Sequence, residues 1–394
     1  MEQTRNEVMC MNVDLNKLAD RDKLAYAILD EFEVPGELVN FVPGYGNGHI
    51  NDTYLVETEL NGANTNYIFQ RINPVVFPKA IEVMNNIALI LPVLKAKAKE
   101  RGQDVSRTTL TLLPTSQAKL YYVDAEGAVW RMYEFIKNSM SYEVLESAEQ
   151  FKTVGEAFGS FQTDLAKFPA EQLSETIVKF HDTRNRYIQL EQACQKDPKQ
   201  RLHEQEVQAL LKQAETFKEE AAYLMTELEK GNLPLKVTHN DTKLNNVLFD
   251  RTRKEVLCVV DLDTVMPGLV AFDFGDAIRT GATSALEDEK DLSKVHFLPK
   301  MYFAFLDGFL TSCAKSLTEA EAVSLAHGAL ILPLETGVRF LTDYLNGDIY
   351  FKTAYLEHNL VRAKTQFKLV SEIADSLPML ISETKKRYHA YREE

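Results

Sequence analysis

The 394-residue sequence predicts an α+β fold, with a small antiparallel β-sheet in its first part and a mainly helical second part. Short apolar runs separated by glycine and polar turns fill residues 38–136. Through most of 137–394, apolar residues instead recur every three or four positions, the spacing of amphipathic helices. Because the chain is long for one core, we predict two domains, residues 1–136 and 137–394.

The composition limits the kinds of partner. A formal net charge of −14 argues against nucleic acid or an anionic membrane as the main partner. No apolar run reaches the roughly 20 residues of a membrane span, and residues 1–7 lack the start of a secretory signal. Four scattered cysteines form no C-x-x-C pair. These features predict a cytoplasmic protein that must hold any anionic ligand through local groups.

The first domain is predicted to begin with a peripheral helical segment, residues 1–36, that ends at Pro35-Gly36. Strands are then expected at 38–42 and 53–56, on either side of a glycine-rich turn. Glycine in such a turn lets backbone N–H groups approach a phosphate closely, and no G-K-[ST] follows as it does in a Walker loop. The turn residues predicted to bind a nucleotide are Gly44, Gly46, Asn47 and Gly48.

The rest of the first sheet is predicted from three further apolar stretches. Residues 67–73 form the third strand, which carries Gln70 and Arg71. Arg71 is the predicted cation for nucleotide phosphates, although the strand register leaves open which of the two side chains faces them. A helix is expected at about 78–97, and strands are expected at 109–113, 120–123 and 129–136. In the plan of kinases, such a last strand leads into a hinge whose backbone pairs with adenine, which places the hinge near Glu134 to Ile136.

The second domain is predicted to be helical apart from one hairpin. Helices are expected at 151–168, 207–228, 298–314, 318–332 and 354–377. Between the last two helices, residues 335–353 are polar and aromatic, as expected of the wall of a cleft.

Residues 237–263 carry the predicted chemistry. His239, Asp241 and Asn246 fit H-x-D-x-x-x-x-N, the catalytic loop of kinases, in which the aspartate orients the acceptor hydroxyl and accepts its proton. Two apolar strands around a polar turn then form a hairpin that should return Asp261 to a place beside Asn246. An amide oxygen and a carboxylate at one point suit Mg²⁺.

Three further residues complete the predicted centre. Asp263, two residues after Asp261, should face the same way and help to bind metal. Lys243 would neutralise charge on the transferring phosphoryl group. His239 is expected to support the loop structurally rather than to titrate.

The runs HNDTKLNN and VVDLDTVMPGLVAFDFGD resemble the aminoglycoside phosphotransferase and choline kinase superfamily, distant relatives of protein kinases. The resemblance extends from about Val42 to Thr353 and is strongest to the N-acetylhexosamine 1-kinase group, which shares the GHINDTY run. It implies a two-lobed, protein-kinase-like fold and an ATP- and Mg²⁺-dependent enzyme. The implied acceptor is the anomeric hydroxyl of an N-acetylhexosamine, and the product is a sugar 1-phosphate.

The resemblance also assigns individual residues. His49, Arg339 and Tyr350 would contact the sugar together with Asp241, and Asp273 would brace the catalytic loop. Two simpler interpretations remain: Arg339 can pair with Asp343 four residues on, while Tyr350 only packs. Two alternative functions also remain, an aminoglycoside- or choline-type kinase with a cationic acceptor and a pseudokinase that binds nucleotide without turnover.

Overall fold

The structure, a computed structural model, describes residues 19–46 and 50–393, and the predicted site residues Asn47, Gly48 and His49 lie outside them. The chain divides into two compact units. The first unit ends at Ser139 and also includes Ser174–Ile177, and the second comprises Met140–Leu173 and the residues from Val178 onward. Within the described ranges, no helix is both long and apolar enough to cross a membrane.

The first unit is built on a five-stranded antiparallel sheet with the strand order β1-β2-β3-β5-β4. Its strands are β1 (Glu37–Pro43), β2 (Asp52–Leu60), β3 (Ala63–Arg71), β4 (Tyr122–Val123) and β5 (Val129–Glu134). Its helices are α1 (Asp20–Ile28), α2 (Ala80–Glu100) and the single turn α3 (Val105–Thr108).

The two faces of this sheet differ in chemistry. Tyr54, Phe69 and Trp130 come from three neighbouring strands and stack on one face, within a core that also contains residues of α1. Side chains alternate along a strand, so Gln70 and Arg131 lie on the opposite face. There Gln70 accepts from Arg131 Nε and Nη2 at 3.0 and 2.9 Å.

The second unit is mainly helical. Its strands are the short pieces β6 (Ser139–Met140, which begins at the unit boundary), β7 (Lys236–Thr238), β8 (Val247–Asp250), β9 (Val256–Val259) and β10 (Met266–Gly268). Its helices are α4 (Ala148–Leu165), α5 (Thr183–Lys196), α6 (Gln205–Thr216), α7 (Lys218–Glu229), α8 (Val270–Gly281), α9 (Pro299–Cys313), α10 (Glu319–Asn346) and α11 (His358–Glu393). The sheet of the first unit and the helices of the second confirm the predicted α+β class, in the kinase-like form.

Helices α8 and α10 pack backbone against backbone in the core of the second unit. A Cβ on Gly275 of α8 would lie 2.3 Å from the carbonyl oxygen of Gly328 in α10. A Cβ on Gly328 would lie 2.2 Å from that of Ala271. Both positions therefore need glycine, and this contact fixes α8, the helix that carries Asp273.

Several predicted element bounds were wrong. Residues 109–113 form no strand, and only Leu112 makes an isolated bridge, to Tyr133. The helix predicted at 207–228 is two helices, α6 and α7, because Phe217 between them leaves the helical conformation at φ −100° and ψ 14°. Helices α5 and α8 were not predicted.

The largest errors in predicted helix length occur at two prolines. The predictions ended a helix before Pro333 and another before Pro378, but α10 and α11 continue through them. A proline removes one helical hydrogen bond. In α10, the almost continuous burial of residues 321–345 supplies packing that outweighs this loss. Residues 335–346 are consequently part of helix α10.

Candidate active site

The predicted hairpin is present and brings the two ends of the motif together. Strand β8 pairs antiparallel with β9, with Val247 opposite Val259. Beyond the last pair, Val260 N donates to Asn246 O at 2.9 Å, so Asp261 lies directly beside Asn246. Asp241 and Asn246 therefore meet Asp261 at the mouth of one hairpin.

Asp241 is held by two donors. Lys243 Nζ lies 3.0 Å from its Oδ2, and Asn246 Nδ2 donates to the same oxygen at 2.8 Å and to the Asp241 carbonyl at 2.8 Å. Burial raises the pKa of Asp241, but Lys243, His239 and Asn246 lower it by more, so the pKa lies below its usual value. The group is thus an ionised acceptor at neutral pH.

Lys243 is the complementary cation. Burial lowers its pKa, but Asp241 and then Asp261 and Asp276 raise it by more, so the pKa lies above its usual value. Its side chain stays about one-third exposed, at 34%. A fixed and partly accessible positive charge therefore lies next to the Asp241 carboxylate.

His239 is fully buried, and its ring is held by two phenylalanine rings and one hydrogen bond. Its ring meets Phe158 and Phe161 edge-on, with centroids 5.5 and 5.7 Å away. Because a carbonyl oxygen only accepts, Nε2 carries the hydrogen and donates to Val260 O at 2.9 Å. The histidine thereby ties the catalytic loop to the end of β9.

Asp273 binds the backbone of the catalytic loop from helix α8. Its Oδ2 accepts from His239 N at 3.0 Å and from Gln162 Nε2 at 2.6 Å, and its Oδ1 accepts from Asn240 N at 2.7 Å. Burial raises the pKa of Asp273, although His239 and these three donors oppose that shift. Asn240 itself has a left-handed backbone, φ +63°, which Asp273 helps to fix immediately before Asp241.

The sequence analysis missed a second aspartate of α8 that binds the catalytic loop. Asp276, three residues on along α8, accepts from Thr242 N at 2.9 Å and from Arg279 Nε and Nη2 at 3.1 and 3.0 Å. Positions i and i+3 share one helix face, so both aspartates reach the loop on either side of Asp241. The three-residue spacing of the two aspartates in FDFGD was the sequence feature that could have predicted this role of Asp276.

The predicted metal ligands are close in sequence but differ in environment. Asn246 directs both donated hydrogen bonds of Nδ2 to Asp241, which leaves its Oδ1 as the acceptor for a cation. Asp261 is exposed and Asp263 is buried. Strand alternation does not extend to Asp263, because β9 ends at Val259, Asp261 is left-handed (φ +61°), and residues 262–264 form a 3₁₀ turn.

The oxygen donors of this site suit Mg²⁺. Proteins hold that ion through one or two carboxylates, with substrate phosphates completing its shell. Asn246 and the exposed Asp261 supply such a partial set. In residues 19–46 and 50–393, no three His, Cys, Asp or Glu side chains form a metal-binding group by themselves.

The predicted nucleotide-binding residues belong to the first unit. Gly44 and Gly46 have φ of +67° and +79°, values that favour glycine, and no atom of the described residues lies within 4 Å of a Cβ built there. Between them, the Tyr45 ring meets Phe135 edge-on at 6.3 Å. Phe135 separates Glu134, which is exposed, from Ile136, which is buried.

Arg71 faces away from Gln70. It lies opposite Asp52 in the β2–β3 register and contacts that carboxylate at 3.5 Å, on the strand face that also carries Tyr54 and Phe69. The side chains of Gln70 and Arg71 therefore point to opposite faces of the sheet, so only one of them can face the phosphates of a nucleotide.

The two remaining predicted acceptor residues lie near the C-terminal end of α10. Arg339 is half-buried on the helix, and Tyr350 is 65% exposed just beyond it. Asp343 does not pair with Arg339, since it accepts from the backbone N–H groups of Tyr350, Ile349 and Phe351 at 2.9–3.0 Å.

Comparison with known proteins agrees with this arrangement. The family model described as the phosphotransferase enzyme family, APH, matches residues 42–294. In structure, the chain is similar to an aminoglycoside phosphotransferase from Alicyclobacillus acidocaldarius, at 12% identity over 93% of this chain and 96% of that one, with a TM-score of 0.58.

Two further solved structures are similar over nearly their whole length. A microcompartment-associated aminopropanol kinase is 16% identical over 90% of this chain and 98% of that one, with a TM-score of 0.54. A choline kinase from Cryptosporidium parvum is 15% identical over 95% of this chain and 100% of that one, with a TM-score of 0.53. At such identities the likeness shows a shared fold.

Proposed function

This chain belongs to the phosphotransferase enzyme family, and we propose that it is an ATP- and Mg²⁺-dependent kinase for the anomeric hydroxyl of an N-acetylhexosamine. The observation that carries the proposal is the Asp241 carboxylate, which has Lys243 at 3.0 Å and Asn246 at 2.8 Å on one oxygen. Phosphoryl transfer needs positioning and charge neutralisation more than covalent chemistry, and this group supplies both.

Asp241 is the proposed catalytic base. Its lowered pKa keeps it ionised, so it can accept a hydrogen bond from the acceptor hydroxyl, orient it and take its proton as the bond to phosphorus forms. Lys243, kept protonated by the same carboxylate, would stabilise the negative charge of the transferring group.

Mg²⁺ would be bound by Asn246 and Asp261, with Asp263 as the candidate for a second ion. When bound, it would offset the charge of the β- and γ-phosphates. We assign nucleotide contacts in the first unit to the glycine-rich turn, to the cation of β3 and to the end of β5. These residues are Gly44, Gly46, Asn47, Gly48, Arg71, Glu134 and Ile136.

The acceptor assignment comes from the resemblance to the N-acetylhexosamine 1-kinase group. His49, Arg339 and Tyr350 would contact the sugar together with Asp241. Two features support it: Asp343 is used by backbone amides rather than by Arg339, and the Tyr350 side chain is exposed. Guanidinium and phenol groups can bind the hydroxyl and acetamide oxygens of a neutral sugar.

A panel of acceptors with ATP and Mg²⁺ tests the proposal. It contains N-acetylglucosamine, N-acetylgalactosamine, choline, 1-amino-2-propanol and an aminoglycoside, and ADP release is the readout. We expect turnover of an N-acetylhexosamine, with phosphorus NMR showing the phosphate on the anomeric carbon. Turnover of the cationic acceptors alone would show a choline- or aminoglycoside-type kinase, and nucleotide binding without turnover of any acceptor would show a pseudokinase.

A further inference from the structure

A second group of buried charged side chains lies in the second unit, outside the catalytic loop. Glu335 of α10 is 1% exposed and accepts from His181 Nδ1 at 3.1 Å and from Thr183 Oγ1 at 3.0 Å. Arg186 Nε lies 3.9 Å from the same carboxylate. Arg339 follows Glu335 by four residues, so the two share one face of α10.

His181 leaves one polar atom without a partner. An ionised carboxylate only accepts, so Nδ1 carries the hydrogen toward Glu335, and Nε2 is left buried with no hydrogen-bond partner among the described residues. The ring packs against Phe180 and Phe272, with centroids 4.4 and 4.9 Å away. Phe272 immediately precedes Asp273, so this cluster borders the brace of the catalytic loop.

The guanidinium group of Arg339 is fixed by aromatic rings. It lies 5.7 Å from the centroid of Phe180 and 5.5 Å from that of Phe351. Among residues 19–46 and 50–393, no hydrogen-bond acceptor or carboxylate pairs with it. Stacking of this kind immobilises the planar group while its N–H edge remains available to a ligand.

The cluster carries excess positive charge. Burial raises the pKa of Glu335, but His181, Arg186 and Arg339 lower it by more, so the carboxylate is ionised at neutral pH. The two guanidinium groups bring two positive charges to the single carboxylate of Glu335. Asp182, the other acid that acts on Arg186, forms an ion pair with Arg184 at 3.5 Å, so a net positive charge remains at Arg186 and Arg339. Burial and the charge of Arg339 lower the pKa of Arg186 by more than Glu335, Tyr350 and Asp182 raise it.

We propose that this cluster forms a subsite in which Arg339 binds an oxygen of a neutral or anionic acceptor. Arg186, whose Nη1 and Nη2 donate to Gln189 Oε1 and Phe180 O, adds a positive charge that helps the subsite to repel an ammonium group. This inference deepens the proposed function and rests on it. It separates this chain from a choline or aminopropanol kinase, since the alcohols in those names carry a positive charge. Within the subsite, Glu335 and His181 are positioning residues.

Three sugars that differ only at carbon 2 show how the charge of that substituent affects turnover. N-acetylglucosamine presents an amide carbonyl, glucose a hydroxyl, and glucosamine an ammonium group when assayed at a pH that keeps its amine protonated. We expect kcat/KM to fall in that order, with glucosamine roughly 100-fold below N-acetylglucosamine, because like charges brought together cost several kcal/mol.

Substitution of one guanidinium tests whether the cluster causes this order. Arg339→Met should reduce the preference for N-acetylglucosamine over glucosamine by about tenfold, partly by improving glucosamine. The matched control is Arg392→Met, since Arg392 also stacks on a ring, that of Tyr388 at 5.5 Å, and lies near the end of α11. The control should leave the preference unchanged, and circular dichroism confirms that both variants fold.

The outcomes separate this inference from the proposed function. Turnover of N-acetylglucosamine with equal kcat/KM for glucosamine, or an Arg339→Met preference equal to that of the wild type, overturns the inference alone. Turnover of a neutral acceptor other than an N-acetylhexosamine, without turnover of its cationic analogue, overturns the proposed function and supports the subsite. Turnover of choline or 1-amino-2-propanol overturns both.

Discussion

Replacement of Asp273 by asparagine should loosen the catalytic loop and destabilise the second unit. Both carboxylate oxygens accept from N–H groups: His239 N and Gln162 Nε2 on Oδ2, and Asn240 N on Oδ1. An amide has one oxygen, so in its better orientation its NH₂ group opposes Asn240 N and the other two bonds become uncharged.

The magnitude follows from these three bonds. An unpaired buried N–H at Asn240 costs about 1–3 kcal/mol, and loss of charge weakens each remaining bond by about 1 kcal/mol. Because a buried charge is itself costly, its removal at Asp273 offsets part of this loss of unfolding free energy. The net loss of unfolding free energy should be about 2–4 kcal/mol, which lowers Tm by roughly 5–15 °C for a unit of this size.

Calorimetry and steady-state kinetics of Asp273→Asn test this reasoning. Because Asn240 precedes Asp241, a shift of about 1 Å in the loop should also lower kcat by roughly 100-fold at 25 °C. The control is Asp375→Asn on the exposed side of α11, which should change stability by less than about 0.5 kcal/mol. An Asp273→Asn variant with the Tm and kcat of the wild type would show that the loop keeps its geometry without the carboxylate.

Five further substitutions probe the proposed active site directly. Asp241→Asn should lower kcat by roughly 10²–10⁴-fold and spare nucleotide binding, as measured by calorimetric titration, and near-normal turnover would disprove its role as base. Asp261→Ala should abolish Mg²⁺-dependent turnover while Asp263→Ala does less, and the reverse order in a magnesium titration would exchange their roles. Lys243→Met should lower kcat far more than it raises KM for ATP, whereas a merely solvated lysine would leave both unchanged. Tyr350→Phe should lower kcat/KM for the sugar by about 1–3 kcal/mol with ATP binding unaltered, and unchanged sugar kinetics would remove this tyrosine from the acceptor site.

Much of the catalytic loop was readable from local patterns. Two apolar runs around a polar turn can only return on themselves, so the approach of Asp261 to Asn246 followed from residues 247–260 alone. The role of Asp276 was within reach by the same logic, because i and i+3 positions on a helix share a face. Asp263 was harder, since its direction depends on a left-handed residue that no strand pattern shows.

The face that each strand side chain occupies needed the register. Arg71 and Gln70 are adjacent, and either could have faced the nucleotide as long as the pairing of β3 was unknown. The register sets Arg71 opposite Asp52 and Gln70 opposite Thr53 and Arg131. A shift of one residue would have exchanged the two faces, which is why the sequence left this open.

The sequence by itself determined the α+β class and the hairpin of the catalytic loop, because periodicity and turn chemistry act over a few residues. The arrangement of the proposed acceptor region was decided only by tertiary structure. Helix α10 passes through Pro333 because packing along its length outweighs one missing hydrogen bond, and this sets Glu335 and Arg339 on one face. Their partner His181 lies 154 residues from Glu335, a contact that only the packing of α5 on α10 creates.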